Sequence, residues 1–189
     1  MNRRRGMTKG DRRERAIVET AKELLRSVPP GQITVDRLAA GAGISRSSFY
    51  FYFDSKSAVL EALLDEIAQE MEEAARGWLD GAGDDPAALR KALGVSARLW
   101  REHGSLLRPA LLGEDEEFAG FRSRVVEGYI GQAAARIGRE RAEGRAPEGP
   151  PQDGLARALV RMKFAVLAED QSAQAIETCA VVITRAIYA

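Results

Sequence analysis

Between Ile44 and Lys56 the chain reads ISRSSFYFYFDSK, a stretch dense in side chains that give hydrogen bonds. Arg46 carries a planar fork that can donate two hydrogen bonds to guanine O6 and N7 on the edge of a base pair. Ser45, Ser47 and Ser48 are short donors that let a helix sit close to a groove floor. Tyr50 can pack its ring on a thymine methyl or give its hydroxyl to a phosphate. This is chemistry for reading duplex bases, and it works only if a rigid element presents these side chains together.

The flanking residues build such an element. Thr34 can cap a short helix whose inward positions are Val35, Leu38, Ala39 and Ala42. Gly43 permits a tight turn, and Ser45 can cap a second short helix carrying Arg46, Ser47, Ser48, Phe49, Tyr50 and Tyr52. Small Ala39 lets the two helices approach, while Ile44 and Phe49 hold the second on the first. The pattern is a helix-turn-helix, whose second helix enters the DNA major groove. Phe49, Phe51 and Phe53 are expected to pack rather than to stack on single-stranded bases.

Charge supports a polyanionic partner at one end. The chain has no net charge, yet residues 1–56 hold 12 Lys plus Arg against 6 Asp plus Glu, and the remainder carries the opposite surplus. Arg3, Arg4, Arg5 and Lys9 form a basic arm suited to an adjacent groove or backbone. Hydrophobic residues at 45% and charged residues at 30% describe a soluble globular protein. With no long apolar run and no apolar segment after the basic start, neither a membrane span nor a secretory leader is expected. Lone Cys179 fits a reducing cytoplasm. One His and one Cys, far apart, supply neither a metal cluster nor a Cys–His pair, and glycine-rich phosphate loops are missing, so no enzyme, metal or cofactor is expected.

Nearly every other segment reads helical. Ile17, Ala21, Leu24, Leu25 and Val28 mark an apolar stripe that Pro29-Pro30-Gly31 stops. Asp54 or Ser55 can cap a long helix bearing Val59, Leu60, Leu63, Leu64, Ile67, Met71 and Trp78, which Gly81-Ala82-Gly83 breaks. A segment over 86–102 follows, then a short piece over 106–112 flanked by Gly104 and Pro109, then a helix over 114–143. GRAPEGPPQDG is the clearest flexible connection, and helices over 155–168 and 173–188 complete the chain. The last helix is apolar along Ile176, Ala180, Ile183 and Ile187, and again along Cys179, Val182 and Ala186. So wide an arc calls for cover on more than one side.

The run ITVDRLAAGAGISRSSFYFYFDSKSAVLEALL resembles the DNA-binding region of TetR-family transcriptional repressors. FYFYF, LARALVRM and the terminal ITRAIYA are similar to the EthR-like subgroup. The resemblance implies an all-α homodimer of about nine helices per chain. An N-terminal helix-turn-helix DNA-binding domain (1–56) would precede a helical ligand-binding and dimerisation domain (57–189). It further implies that Thr34, Tyr52 and Lys56 grip phosphates, and that double-stranded DNA with a palindromic operator is the partner. A small hydrophobic effector would release the DNA from a pocket lined by Val95, Leu99, Trp100, His103, Val126, Tyr129, Met162 and Phe164. Leu155, Cys179, Val182 and Ala186 are the expected dimer contacts. The likeness breaks at Met162, followed here by Lys163-Phe164 where EthR-like members usually carry Asn-Glu-Arg, and the stretch from there to the last helix is shorter. An activator of the same fold, or a helical protein-interaction module that keeps the motif as packing, are the alternatives.

Overall fold

Local chemistry accounts for the first three helices. The computed structural model describes residues 9–189, without the side chain of Lys9. Helix α1 (Lys9–Leu25) buries Ile17, Val18, Ala21 and Leu25, one stripe at helical spacing. Pro29 and Pro30 end it, and a 3-10 turn over Pro30–Gln32 leads on. Thr34 stands in extended conformation and its Oγ1 accepts from the Arg37 N–H at 3.3 Å, opening α2 (Val35–Gly41). Gly43 takes φ +65°, a left-handed conformation that side chains disfavour. Ser45 then caps α3 (Arg46–Phe49), its Oγ accepting from the Ser48 N–H at 3.1 Å.

Helix α3 is shorter than the expected run to Tyr52. Beyond Phe49 the backbone bonds tighten: the Phe51 N–H donates to Ser48 O and the Tyr52 N–H to Phe49 O, three residues back. Phe49 and Phe53, four residues apart, are buried, with ring centroids 6.2 Å apart. Phe51 between them is 87% exposed, so it does not pack as expected. One turn cannot bury three aromatic residues that alternate along it.

Helix α4 (Lys56–Leu79) begins where Ser55 Oγ accepts from the Ala58 N–H at 3.1 Å. The described residues fall into two compact units, one ending at Glu66 and one spanning Ile67–Ala189, and α4 runs from the first into the second. In the second unit, Asp85 caps α5 (Pro86–Leu111) by accepting from the Ala87 and Ala88 N–H groups. The sequence predicts two helices here. The structure shows one that leaves helical geometry at His103 (φ −126°, ψ 16°), just before Pro109, so the break is a kink. A 3-10 turn over Glu116–Phe118 precedes α6 (Ala119–Ala142), followed by α7 (Gln152–Glu169) and α8 (Ala173–Tyr188). The described residues thus hold eight α-helices rather than about nine, and no strand. In this unit α6 packs along α7, and α5 lies against α7 and α8.

The connection between α6 and α7 is held down instead of free. The Arg145 and Ala146 N–H groups both donate to Glu140 O, Ala146 is buried, and Arg141 Nη1 donates to Pro150 O at 2.8 Å. Its Gly and Pro residues mark the turn, and arginines fasten it. No helix among the described residues is long and apolar enough to cross a membrane.

Candidate nucleic-acid interface and ligand cavity

The sequence-derived contact residues gather on the helix-turn-helix. Arg46 Nη1 donates to Asp36 Oδ2 at 2.6 Å and Nη2 to Tyr50 Oη at 3.5 Å, with the Arg46 side chain 58% exposed. The arginine thus lies clipped to α2, and an ion pair this open to water and salt gives it up readily. Ser45 Oγ is 2.9 Å from Ser47 Oγ and 2.8 Å from Ser48 Oγ. Tyr50 is exposed, its ring edge-on to buried Phe49 at 5.5 Å. Tyr52 is half-buried, and Lys56 Nζ donates to Pro30 O and Gly31 O, each at 3.4 Å. Sequence reading missed Arg13 on α1, whose Nη1 donates to Gly43 O at 3.3 Å and braces the turn between α2 and α3. No motif marked it, because the contact spans 30 residues. Arg3, Arg4 and Arg5 of the basic arm lie outside the described residues, as does the Lys9 side chain.

The second unit contains an apolar cavity of about 60 Å³. Its wall comes from Ala75, Trp78 and Leu79 of α4, Leu89, Ala92, Leu93 and Ser96 of α5, and Tyr129, Ala133 and Ile137 of α6. Leu159, Val160 and Lys163 of α7 and Ile183 and Ile187 of α8 complete it. Of the expected pocket residues only Tyr129 lines it. Leu99 and Trp100 are buried core, Val95 and Met162 border no part of it, and His103 sits at the α5 kink. Val126 and Phe164 line a separate, polar-edged groove with Arg122, Glu127 and Arg161. The difference is one of helix phase. The 89–92/93–96 stripe of α5 faces the cavity, whereas the expected 95–99–103 stripe of the same helix turns elsewhere.

Two side chains of this wall, Tyr129 and Lys163, have no hydrogen-bond partner among the described residues. Tyr129 is 8% exposed and its Oη has no hydrogen bond, and its ring meets Phe164 edge-on at 5.7 Å. Burial holds the phenol well above its usual range. Lys163 Nζ rests 4.0 Å from the Tyr129 ring centroid and 4.2 Å from that of Phe164. Burial pushes its ammonium down to about 8.

A buried ionic cluster lies against Trp78, a residue of the cavity wall. Arg136, with no exposed surface, stacks on Trp78 at 4.3 Å and donates to Trp78 O, to Gly81 O at 2.9 Å and to Gly83 O at 2.7 Å. It also donates to Tyr188 Oη at 2.9 Å. Glu140, equally buried, accepts from Arg145 Nη2 at 2.7 Å and from the Gly83 N–H at 2.8 Å. Arg145 first, and the Gly83 amide after it, hold the Glu140 carboxyl down at about 2. Its ordinary value is 4.5, so the unfolded chain binds this proton more readily than the folded one. The stabilisation is therefore complete above the ordinary value and drains away as pH falls from there toward 2. Urea melts at pH 7 and pH 3 are expected to show about 2 kcal/mol of acid-labile stability from this carboxylate, which Glu140→Gln removes.

The α8 residues expected at a dimer contact divide. Cys179 is 1% exposed and packs within its own bundle, so it offers a partner nothing. Val182 is 39% exposed beside Val181 at 36%, Ala186 is exposed, and Leu155 on α7 is half-buried.

Comparison with known proteins decides what this arrangement belongs to. Residues 17–63 match the model of bacterial regulatory proteins of the tetR family, and residues 89–189 match the C-terminal domain of the transcriptional regulator EthR. The HTH-type transcriptional regulator EthR of Mycolicibacterium smegmatis is 35% identical over 189 residues, covering 96% of this chain and 87% of that protein. EthR of Mycobacterium tuberculosis is 35% identical over 198 residues, covering 98% and 92%. The chain belongs to the TetR family, in its EthR-like group. As such a TetR-family member it is a DNA-binding transcription regulator and not an enzyme. The TetR fold extends to more distant structures. Salmonella enterica GusR has a TM-score of 0.77 at 18% identity, covering 96% of this chain and 98% of that one. FadR, a fatty acid degradation regulator from Bacillus halodurans, has 0.70 at 18%, covering 95% and 96%.

Proposed function

We propose that this regulator is a cytoplasmic repressor that binds a palindromic operator as a homodimer and is released by a small, mostly apolar effector. The observation that carries this reading is the exposure of Arg46 and Tyr50 on α3, beside the three serines, in a chain of the TetR family. One such helix touches too few base pairs to select a site. A two-fold pair sets two of them in successive major grooves, about 34–36 Å apart, and so favours a palindrome. Exposed Val181, Val182 and Ala186 on α8 suit a second copy. The cavity suits an effector, and its wall includes Ala75, Trp78 and Leu79 of α4, the helix whose first residue is Lys56. An effector that prefers one separation of the two heads draws the population from the DNA-competent state.

Footprinting and gel-shift titration against the flanking promoter test this. Arg46→Ala is expected to lose about 10- to 100-fold in discrimination at particular base positions. Lys56→Ala is expected to weaken all sequences alike and to lower the salt slope by about one. Absence of any preferred site for the unaltered protein would overturn the repressor reading.

A further inference from the structure

The cavity is apolar along nearly all of its wall; besides Ser96 and the Trp78 indole, the side chains in it that carry hydrogen-bond donors are Tyr129 and Lys163, which lie against each other. Tyr129 Oη is buried and bonds to nothing. Lys163 makes no hydrogen bond or ion pair with any described residue; its ammonium is held only by the faces of Tyr129 and Phe164. A half-buried cation resting on rings alone lacks the anion that normally compensates it. Nearby acids do not fill that role. Glu72 on α4 lies close enough to act on the Tyr129 phenol, but its own charge partner is Arg76 at 3.8 Å. The neighbouring side chain from α8 is Cys179, a buried thiol. Because the ammonium lies over the ring that carries the phenol, the two donors are close neighbours. A carboxylate has two acceptor oxygens and one charge, enough for both.

Resting on the effector-responsive reading above, we propose that the effector is an apolar monocarboxylate whose head is bound by Lys163 Nζ and Tyr129 Oη. Its hydrocarbon body, larger than the cavity of about 60 Å³, lies along Leu89, Leu93, Ile183 and Ile187 and widens the space between their helices. An aliphatic wall with one cationic corner selects such a molecule against neutral and cationic analogues of the same length. The neutral analogue leaves the ammonium uncompensated, and the cationic analogue sets like charges together.

The probes are octanoate, octanol and octylamine, titrated by calorimetry and thermal shift on the full chain, with operator release as a second readout. Octanoate is expected to bind at least about tenfold tighter than octanol, and octylamine not at all. Lys163→Met is expected to abolish that preference and to keep octanol binding, since it retains the apolar stem and removes a buried charge. Tyr129→Phe, which removes one oxygen from an unbonded position, is expected to weaken octanoate alone. Equal binding of octanoate and octanol, or a preference that survives Lys163→Met, overturns the carboxylate head and leaves the effector reading standing. If no apolar compound binds or moves operator affinity while operator binding itself is intact, the effector reading falls, and this proposal with it.

Discussion

Arg136→Ala is expected to cost the C-terminal unit about 3–5 kcal/mol, a large share of the stability of any domain this size. The arginine is fully buried, and its fork satisfies the carbonyls of Trp78, Gly81 and Gly83 while its plane covers the Trp78 ring. Truncation strands the Trp78 and Gly81 carbonyls, leaves Gly83 O to the Tyr188 hydroxyl alone, uncovers the indole and removes a donor to Tyr188 Oη. Arg136→Lys is expected to recover little, because a single ammonium cannot span three carbonyls and stack on a ring at once. Both tryptophans of the chain, Trp78 and Trp100, lie in this unit, so denaturation followed by tryptophan fluorescence reads it directly. A variant within about 1 kcal/mol of the unaltered chain would show that water replaces the fork and that the cluster adds little to this unit.

Phe49→Ala is expected to abolish operator binding while that same fluorescence transition stays where it was. Helix α3 has four residues, too few to persist by its own backbone bonds. What holds it is Phe49, fully buried, in ring contact with Phe53 and with Tyr50. Losing that ring costs about 3–5 kcal/mol in the first unit, where the core is small. Without it Ser45, Arg46 and Tyr50 have no common frame, and the expected loss of operator affinity exceeds about 100-fold. Effector binding, which we propose for the second unit, is expected to persist in the same preparation. Operator binding close to that of the unaltered chain would mean that DNA itself orders α3, and that the preformed helix is not required.

These two variants also mark the boundary between what can be read along the chain and what cannot. The helix-turn-helix was legible because its determinants are local. Thr34 and Ser45 each cap the helix that follows within three residues, and Gly43 meets a backbone angle that belongs to one peptide unit. Helix α8 likewise begins and ends where its apolar pattern does, at Ala173 and Tyr188. The family likeness in ITVDRLAAGAGISRSSFYFYF is a likeness of this local kind.

The cavity and the ionic cluster were not legible. GRERAEGR around Arg139 looks like any solvated charged helix end, yet it contains fully buried Glu140, and Arg136 one turn earlier finds its carbonyl partners more than fifty residues away. On α5 and α7 several faces carry apolar residues, so sequence admits several phases. One residue of phase turns a side chain by about 100°, enough to exchange a cavity wall for plain core. Residue order along the chain determined where helices start, stop and turn, because caps, prolines and left-handed glycines act within a few bonds. Only the packing of distant helices decided which faces enclose space, which charges lose their water, and that Lys163 would lie over the Tyr129 ring.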